Sequence, residues 1–267
     1  MELYKINKPQ SLSVPIVINF PHSGSFIPDQ LINNYNKTAV DFIDDTDWFL
    51  PQLYDFAQEL GITTMQATHS RWVIDLNRNP KSVPLYNDGR LITGLCSTTN
   101  FLGDAIYKPG CEPSETEIAT RKKTYFEPYY NQLQALLTDL KAQHGKVLLY
   151  DSHSIRSVVS TIQKERFPDI ILGTANETSA DKRLIATALQ SLKSSPYTIT
   201  HNHPFKGGNI TRTFGQPQNN QHALQLERCK DLYMKNNETE LDIEKAKIMK
   251  PQLKQLFISL IETLHNV

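Results

Sequence analysis

Two runs in this chain are apolar at nearly every position, and each ends in a turn that carries a histidine. Val14-Pro15-Ile16-Val17-Ile18-Asn19-Phe20 leads into Pro21-His22-Ser23-Gly24, and Lys146-Val147-Leu148-Leu149-Tyr150 leads into Asp151-Ser152-His153-Ser154. A short apolar run bounded by turn residues reads as a buried strand. In open α/β sheets, ligands bind just beyond the carboxyl ends of the strands. Two imidazoles delivered to that edge can share a metal ion if a third ligand joins them.

The rest of the chain supports an α/β layered domain. Further strand-like runs fall at 61–68, 71–76, 169–173, 197–201 and 222–227. Between several of them lie helical patterns. Trp48 to Leu60 spaces Phe49, Leu53, Phe56 and Leu60 by three or four residues, and Gly61 stops it. Ser114 to His144 predicts a long helix kinked or broken at Pro128. Ser179 to Leu192 predicts another, with Leu184, Ala188 and Leu192 on one stripe. Glu240 to Leu264 predicts a last helix that turns Leu253, Leu256, Phe257, Leu260 and Leu264 inward. Residues 77–113, punctuated by Pro80, Pro84, Gly89, Gly94, Gly103, Pro109 and Gly110, lack periodicity; such a stretch forms either a functional lid or wall or a solvated loop.

Length and charge narrow the function. The 267 residues suit one large domain, taken here as 1–267, and Lys+Arg and Asp+Glu both total 28. Zero formal charge gives no support for nucleic-acid binding. Cys96, Cys111 and Cys229 are odd in number and far apart, which points to a reducing compartment. The opening Met1-Glu2-Leu3-Tyr4-Lys5 lacks the features of a signal peptide, and no apolar run is long enough to span a bilayer. The expectation is a soluble cytoplasmic protein that engages neither nucleic acid nor membrane; its oligomeric state stays open.

His22 and His153 offer imidazole nitrogens suited to Zn²⁺, and a catalytic zinc site usually has three protein ligands. The carboxylate best placed to complete the set comes from Asp44-Asp45-Thr46-Asp47, with Asp47 first and Asp45 second, although an aspartate before a helix also serves as an N-cap. Asp151, two residues before His153, is a candidate to orient an imidazole. His69, His201, His203 and His222 are further imidazoles that spacing does not exclude. Mn²⁺, Fe²⁺ or Co²⁺ would also accept two imidazoles and a carboxylate.

Hydrolysis also needs a proton shuttle. In His222-Ala223-Leu224-Gln225-Leu226-Glu227 the leucines alternate onto one face and leave Gln225 and Glu227 on the other. Glu227 is the candidate general base. Arg71, Arg78 and Arg212 stand next to strand ends or glycine-rich turns, and guanidinium forks match carboxylates. Several of them around a metal would select a small anionic substrate; Arg71 or Arg78 paired with Asp75 would instead be structural.

Taken in order, these segments resemble the N-formylglutamate amidohydrolase family. The resemblance rests on Pro21-His22-Ser23-Gly24, Asp45-Thr46-Asp47-Trp48, Arg71-Trp72-Val73-Ile74-Asp75-Leu76-Asn77-Arg78 and Asp151-Ser152-His153-Ser154-Ile155-Arg156-Ser157. It continues through Phe167 to Thr174, Phe205-Lys206-Gly207-Gly208-Asn209-Ile210-Thr211-Arg212 and His222 to Glu227. Two steps depart from the family pattern: His203-Pro204 stands where Gly-Arg is common, and Thr213-Phe214 where His-Tyr is usual.

The resemblance implies a three-layer α/β/α fold with a central mixed sheet, zinc-carboxypeptidase-like (phosphorylase/hydrolase-like). It implies hydrolysis of N-formyl-L-glutamate to formate and L-glutamate, late in histidine degradation. Carried over by position, His22, Asp47 and His153 would hold one Zn²⁺ and Glu227 would be the base. Asn77, Arg78 and Arg212 would hold substrate carboxylates, with Arg71 and Arg156 as further candidates. Alternatives are a hydrolase of another N-acyl amino acid (acetyl or succinyl), a carboxypeptidase, and a non-catalytic metal-binding or sensing protein.

Overall fold

The computed structural model describes residues 1–10, 12–81, 83–84, 93–236 and 238–267. Seven strands build one mixed sheet: β1 (Tyr4–Asn7), β2 (Ile16–Phe20), β3 (Thr63–Ala67), β4 (Val147–Ser152), β5 (Ile170–Gly173), β6 (Ile199–His201) and β7 (Gln221–Arg228). Their order is β1-β3-β2-β4-β7-β5-β6. The four central strands β3, β2, β4 and β7 are parallel, whereas β1 and β5 run antiparallel to their neighbours β3 and β7. The carboxyl ends of β2, β4 and β7 therefore open onto one edge, side by side.

The apolar runs are explained by cover on both faces. Ile16, Ile18 and Phe20 of β2, with Leu148 and Tyr150 of β4, face one core, and Val17, Val147 and Leu149 face the other. Alternate residues point to opposite faces, so a strand buried on both sides must be apolar throughout.

The short helices α1 (Asp29–Ile32), α2 (Lys37–Asp41) and α3 (Leu50–Leu53) precede α4 (Glu115–Arg121), α5 (Glu127–His144), α6 (Lys182–Lys193), α7 (Asn209–Phe214) and α8 (Ile243–His265). The first core packs against α3, α6 and α8, the second against α5 and α7. All five inward residues expected in the last helix are buried. The helix expected to kink or break at Pro128 runs on from Glu115 to His144 without a break, with one π-type turn, Lys122–Phe126, just before the proline. The shift to π-type bonding just before the proline fits the loss of its N–H from the helical ladder.

Three readings of the sequence change. Tyr4–Asn7 is an edge strand, half-buried on alternate residues, that the apolar-run criterion passes over. The stretch expected as a helix from Trp48 to Leu60 is only α3 and a 3-10 turn at Asp55–Ala57, although Leu53 and Phe56 are buried as the spacing requires. Residues 71–76 form turns rather than a strand. There, Trp72 and Val73 pack with Tyr35, Ile106 and Tyr107, while Ile74 and Leu76 join the second sheet core. Turning the backbone brings Arg71 and Asp75 to the same point, which strand alternation over four residues would hold much farther apart. Of the stretch 77–113, positions 82 and 85–92, Gly89 included, lie outside the described residues.

His222 sits near the start of β7, opposite Leu148 and away from the strands' carboxyl ends. Asp181 donates its backbone N–H to His222 Nδ1 at 3.2 Å, and Nε2 is buried without a partner among the described residues. Burial pushes this imidazole down to about 4, with Asp181 opposing and Lys146 and Arg183 assisting. Its proton is thus bound more tightly in the unfolded chain. The stabilisation is complete above pH 6.5 and is lost as pH falls from 6.5 towards 4. Denaturant unfolding of metal-free protein should show this loss, at most about 3 kcal/mol, and His222→Gln should flatten the difference between pH 7.5 and pH 4.5. An unchanged slope in the variant would remove His222 from the account.

Candidate active site

The three central strands place the chemistry. His22 follows β2, His153 follows β4 and Glu227 lies in β7. His22 Nε2 meets Asp75 Oδ1 at 2.8 Å, and His153 Nε2 meets Asp151 Oδ2 at 2.9 Å. A carboxylate on Nε2 holds the proton there and turns the Nδ1 lone pair away from it. Both Nδ1 atoms face Asp47: its Oδ2 is 3.1 Å from His153 Nδ1 and 3.8 Å from His22 Nδ1. Among the described residues, His22, Asp47 and His153 form a buried group whose ligand atoms lie within 4.8 Å of one another, and it can hold a metal ion. His22 Nδ1 is buried and has no hydrogen-bond partner among the described residues, which leaves its lone pair available.

Asp47 is held by its surroundings. Its N–H donates to His22 O at 2.9 Å, and Ser154 Oγ donates to its Oδ1 at 3.2 Å. It does not cap the next helix, whose N-cap position is Phe49. Asp45 turns elsewhere and accepts from Trp72 Nε1 at 2.9 Å and from the Phe101 N–H at 3.1 Å. Lys230 Nζ, donating to Asp44 O at 2.7 Å, and Tyr233 Oη, donating to Trp48 O at 2.9 Å, pin the loop on either side.

Electrostatics separate the groups. Burial, assisted by Arg71, lowers His22 to about 4. Burial alone would also lower His153, but the Asp151 and Asp47 carboxylates outweigh it and hold the imidazole well above its ordinary value. Burial would raise Asp75, yet Arg71, Arg78 and His22 keep it ionised and well below the usual range. Burial raises Glu227 to about 7, with His153 opposing and Asp47 assisting. A carboxyl poised near neutrality can both take and return a proton.

A cavity of about 250 Å³ opens over these residues. Its polar wall includes His22, His153, Asn77, Gln225 and Glu227, and its cations are Arg71 and Arg78. Phe101, Ile155, Ile162 and Phe205 form an apolar side. From the irregular stretch, Val83, Pro84, Thr93, Gly94 and Leu95 also line it, so its described part serves as wall.

A family model described as N-formylglutamate amidohydrolase matches residues 14–234, which contain all of these groups. The chain belongs to that family. It is 39% identical over 227 residues to an N-formylglutamate deformylase of Pseudomonas putida, spanning 84% of each chain. Against an N-formylglutamate deformylase of Pseudomonas aeruginosa it is 40% identical over 223 residues, covering 83% of this chain and 82% of the relative. The crystal structure of N-formylglutamate amidohydrolase from Ralstonia eutropha JMP134 has the same fold, with a TM-score of 0.81 at 22% identity, over 100% of this chain and 99% of that one.

Within this family framework, the expected substrate clamps divide. Arg71 lies over the Phe101 ring at 4.6 Å and donates to Asp75 Oδ2 at 2.7 Å. Arg78 donates through Nε and Nη2 to Thr93, and its Nη1 stands 3.7 Å from Asp75. Arg156 does not line the cavity; its Nε donates to both Asp44 oxygens at 3.1 and 3.0 Å, and its Nη1 pairs with Glu238 at 3.5 Å. Arg212 is exposed on α7, donates to Gly207 O at 2.9 Å, and is likewise absent from the lining. Asn77 is largely engaged by the protein: Oδ1 accepts the Ile210 N–H at 2.8 Å, and Nδ2 donates to Asp151 Oδ2 at 3.3 Å. A side chain at position 208 would collide with that amide, since a Cβ on Gly208 would come within 2.4 Å of Asn77 Nδ2.

The other histidines stay apart from the group. His69 Nδ1 meets Thr68 Oγ1 at 3.0 Å, and His201 Nε2 meets Thr174 Oγ1 at 2.8 Å. His203 is exposed. Sequence reasoning assigned Asp75 no place beside His22. The available signal was a lone carboxylate inside Trp72-Val73-Ile74-Asp75-Leu76, because a charge buried among apolar residues must be paired. No helix among the described residues is long and apolar enough to cross a membrane.

Proposed function

We propose that this chain hydrolyses N-formyl-L-glutamate to formate and L-glutamate in the cytoplasm, at a late step of histidine degradation. The observation that carries the reading is Glu227, a carboxyl raised to about 7, in one cavity with two arginines and with His22 and His153, the imidazoles of the group that Asp47 completes. The deformylase activity for which the two Pseudomonas relatives are named supports the choice of substrate.

The donor set fits a divalent cation, Zn²⁺ first: two imidazoles and a carboxylate, with an unpartnered Nδ1. Bound there, such an ion supplies a Lewis acid that lowers the pKa of water to about 7 and polarises a carbonyl. The protein does the rest. Arg71 and Arg78 orient the anionic substrate, and Asn77 completes that wall. Glu227 takes the proton from the attacking water and returns it to the departing glutamate nitrogen, so the C–N bond breaks without expelling an amide anion. Arg156 and Arg212 have no part in this proposal, since neither lines the cavity.

Formate release from N-formyl-L-glutamate by purified protein tests the reading. Release should stop with a chelator, return with zinc, and exceed that from N-acetyl- and N-succinyl-L-glutamate. Zinc-loaded protein that releases no formate would refute it.

A further inference from the structure

The Gly207-Gly208 turn directs a backbone N–H into the protein, and Gln225 meets it. Gly208 N donates to Gln225 Oε1 at 2.7 Å, and Asn77 Nδ2 approaches the same oxygen at 3.4 Å. These contacts fix which way the Gln225 amide faces. Its oxygen is committed to donors, so the other end presents two N–H groups and no acceptor. Gln225 Nε2 makes no hydrogen bond among the described residues, and Gln225 lines the cavity on the same strand face as Glu227.

Charge indicates what these donors meet. Arg71 and Arg78 both converge on Asp75, at 2.7 and 3.7 Å, so the two guanidiniums make one cationic edge. Among the described residues that line the cavity, these are the only arginines or lysines. A substrate with two carboxylates needs donors for the second.

We propose that Gln225 determines specificity by donating its Nε2 hydrogens to one carboxylate of the substrate. The inference rests on the N-formylglutamate reading above. Gln225→Glu is the informative change. A carboxylate keeps the shape, and one of its oxygens still accepts the Gly208 N–H. The other oxygen becomes an acceptor that repels the anionic substrate.

The expected result is a KM for N-formyl-L-glutamate raised roughly 30-fold or more, with kcat and metal content much less affected. The effect should vanish for one of the two half-amides, N-formyl-L-glutamine or N-formyl-L-isoglutamine, which identifies the carboxylate. Gln225→Met, which keeps the length and drops the donors, should raise KM by about tenfold and serves if the first variant does not fold. An unchanged KM, or an equal loss for all three substrates, would reduce Gln225 to a support for the turn and overturn the proposal. Wild-type protein inactive on all three would instead overturn the reading on which it rests.

Discussion

Glu227→Gln should bind metal as the wild type does and lose nearly all turnover. The amide has the size of the carboxyl but cannot accept the proton of water, and general-base catalysis contributes about 10²–10⁴-fold. Glu227 is not among the three residues that can hold the ion, so metal content should not change. Its carboxylate has no hydrogen-bond partner among the described residues, which leaves it free to serve the reaction and makes the substitution cheap for the fold. The check is kcat for formate release alongside elemental analysis. Turnover within threefold of wild type would show that another group takes the proton.

His153→Ala should strip the metal and also weaken the metal-free protein. One imidazole serves two carboxylates here, Asp47 at 3.1 Å and Asp151 at 2.9 Å, all of them buried. Its removal would delete a proposed ligand and leave two carboxylates without their shared imidazole. Breaking a buried pair in this way costs about 3–5 kcal/mol. Metal stoichiometry after dialysis should fall from near one to near zero, and the denaturant midpoint of the apo form should drop as well. Asp45→Asn is the control: its carboxylate is occupied by Trp72 and Phe101, so zinc should be retained. Equal zinc retention in the His153 variant would exclude that residue as a ligand.

In the proposed mechanism the two changes separate a part of the site that would hold the ion from a part that would move the proton. The register explains why both sit at one edge. Asn19 pairs with Asp151 and Asp151 with Gln225, so β2, β4 and β7 reach the cavity at the same height. His22, His153 and Glu227 then need only the two or three residues by which each chain extends past that row.

Strand burial and helix stripes repeat over a few residues, so Ile16 to Phe20, Val147 to Tyr150 and the Leu253–Leu264 face are legible from periodicity alone. The same alternation puts Gln225 and Glu227 on one face. The choice of partner for a buried charge has no such period. Asp47 rather than Asp45 meets the imidazoles because Trp72 and Phe101 draw Asp45 away. Asp75 reaches His22 only because residues 71–76 turn. Arg156 is spent on Asp44, across 112 positions of sequence. The sequence by itself determined which elements form and which of their ends carry reactive groups, since that follows from local burial. Tertiary structure alone decided which charges pair, because each buried ion takes whichever counter-charge the packed sheet brings within about 4 Å.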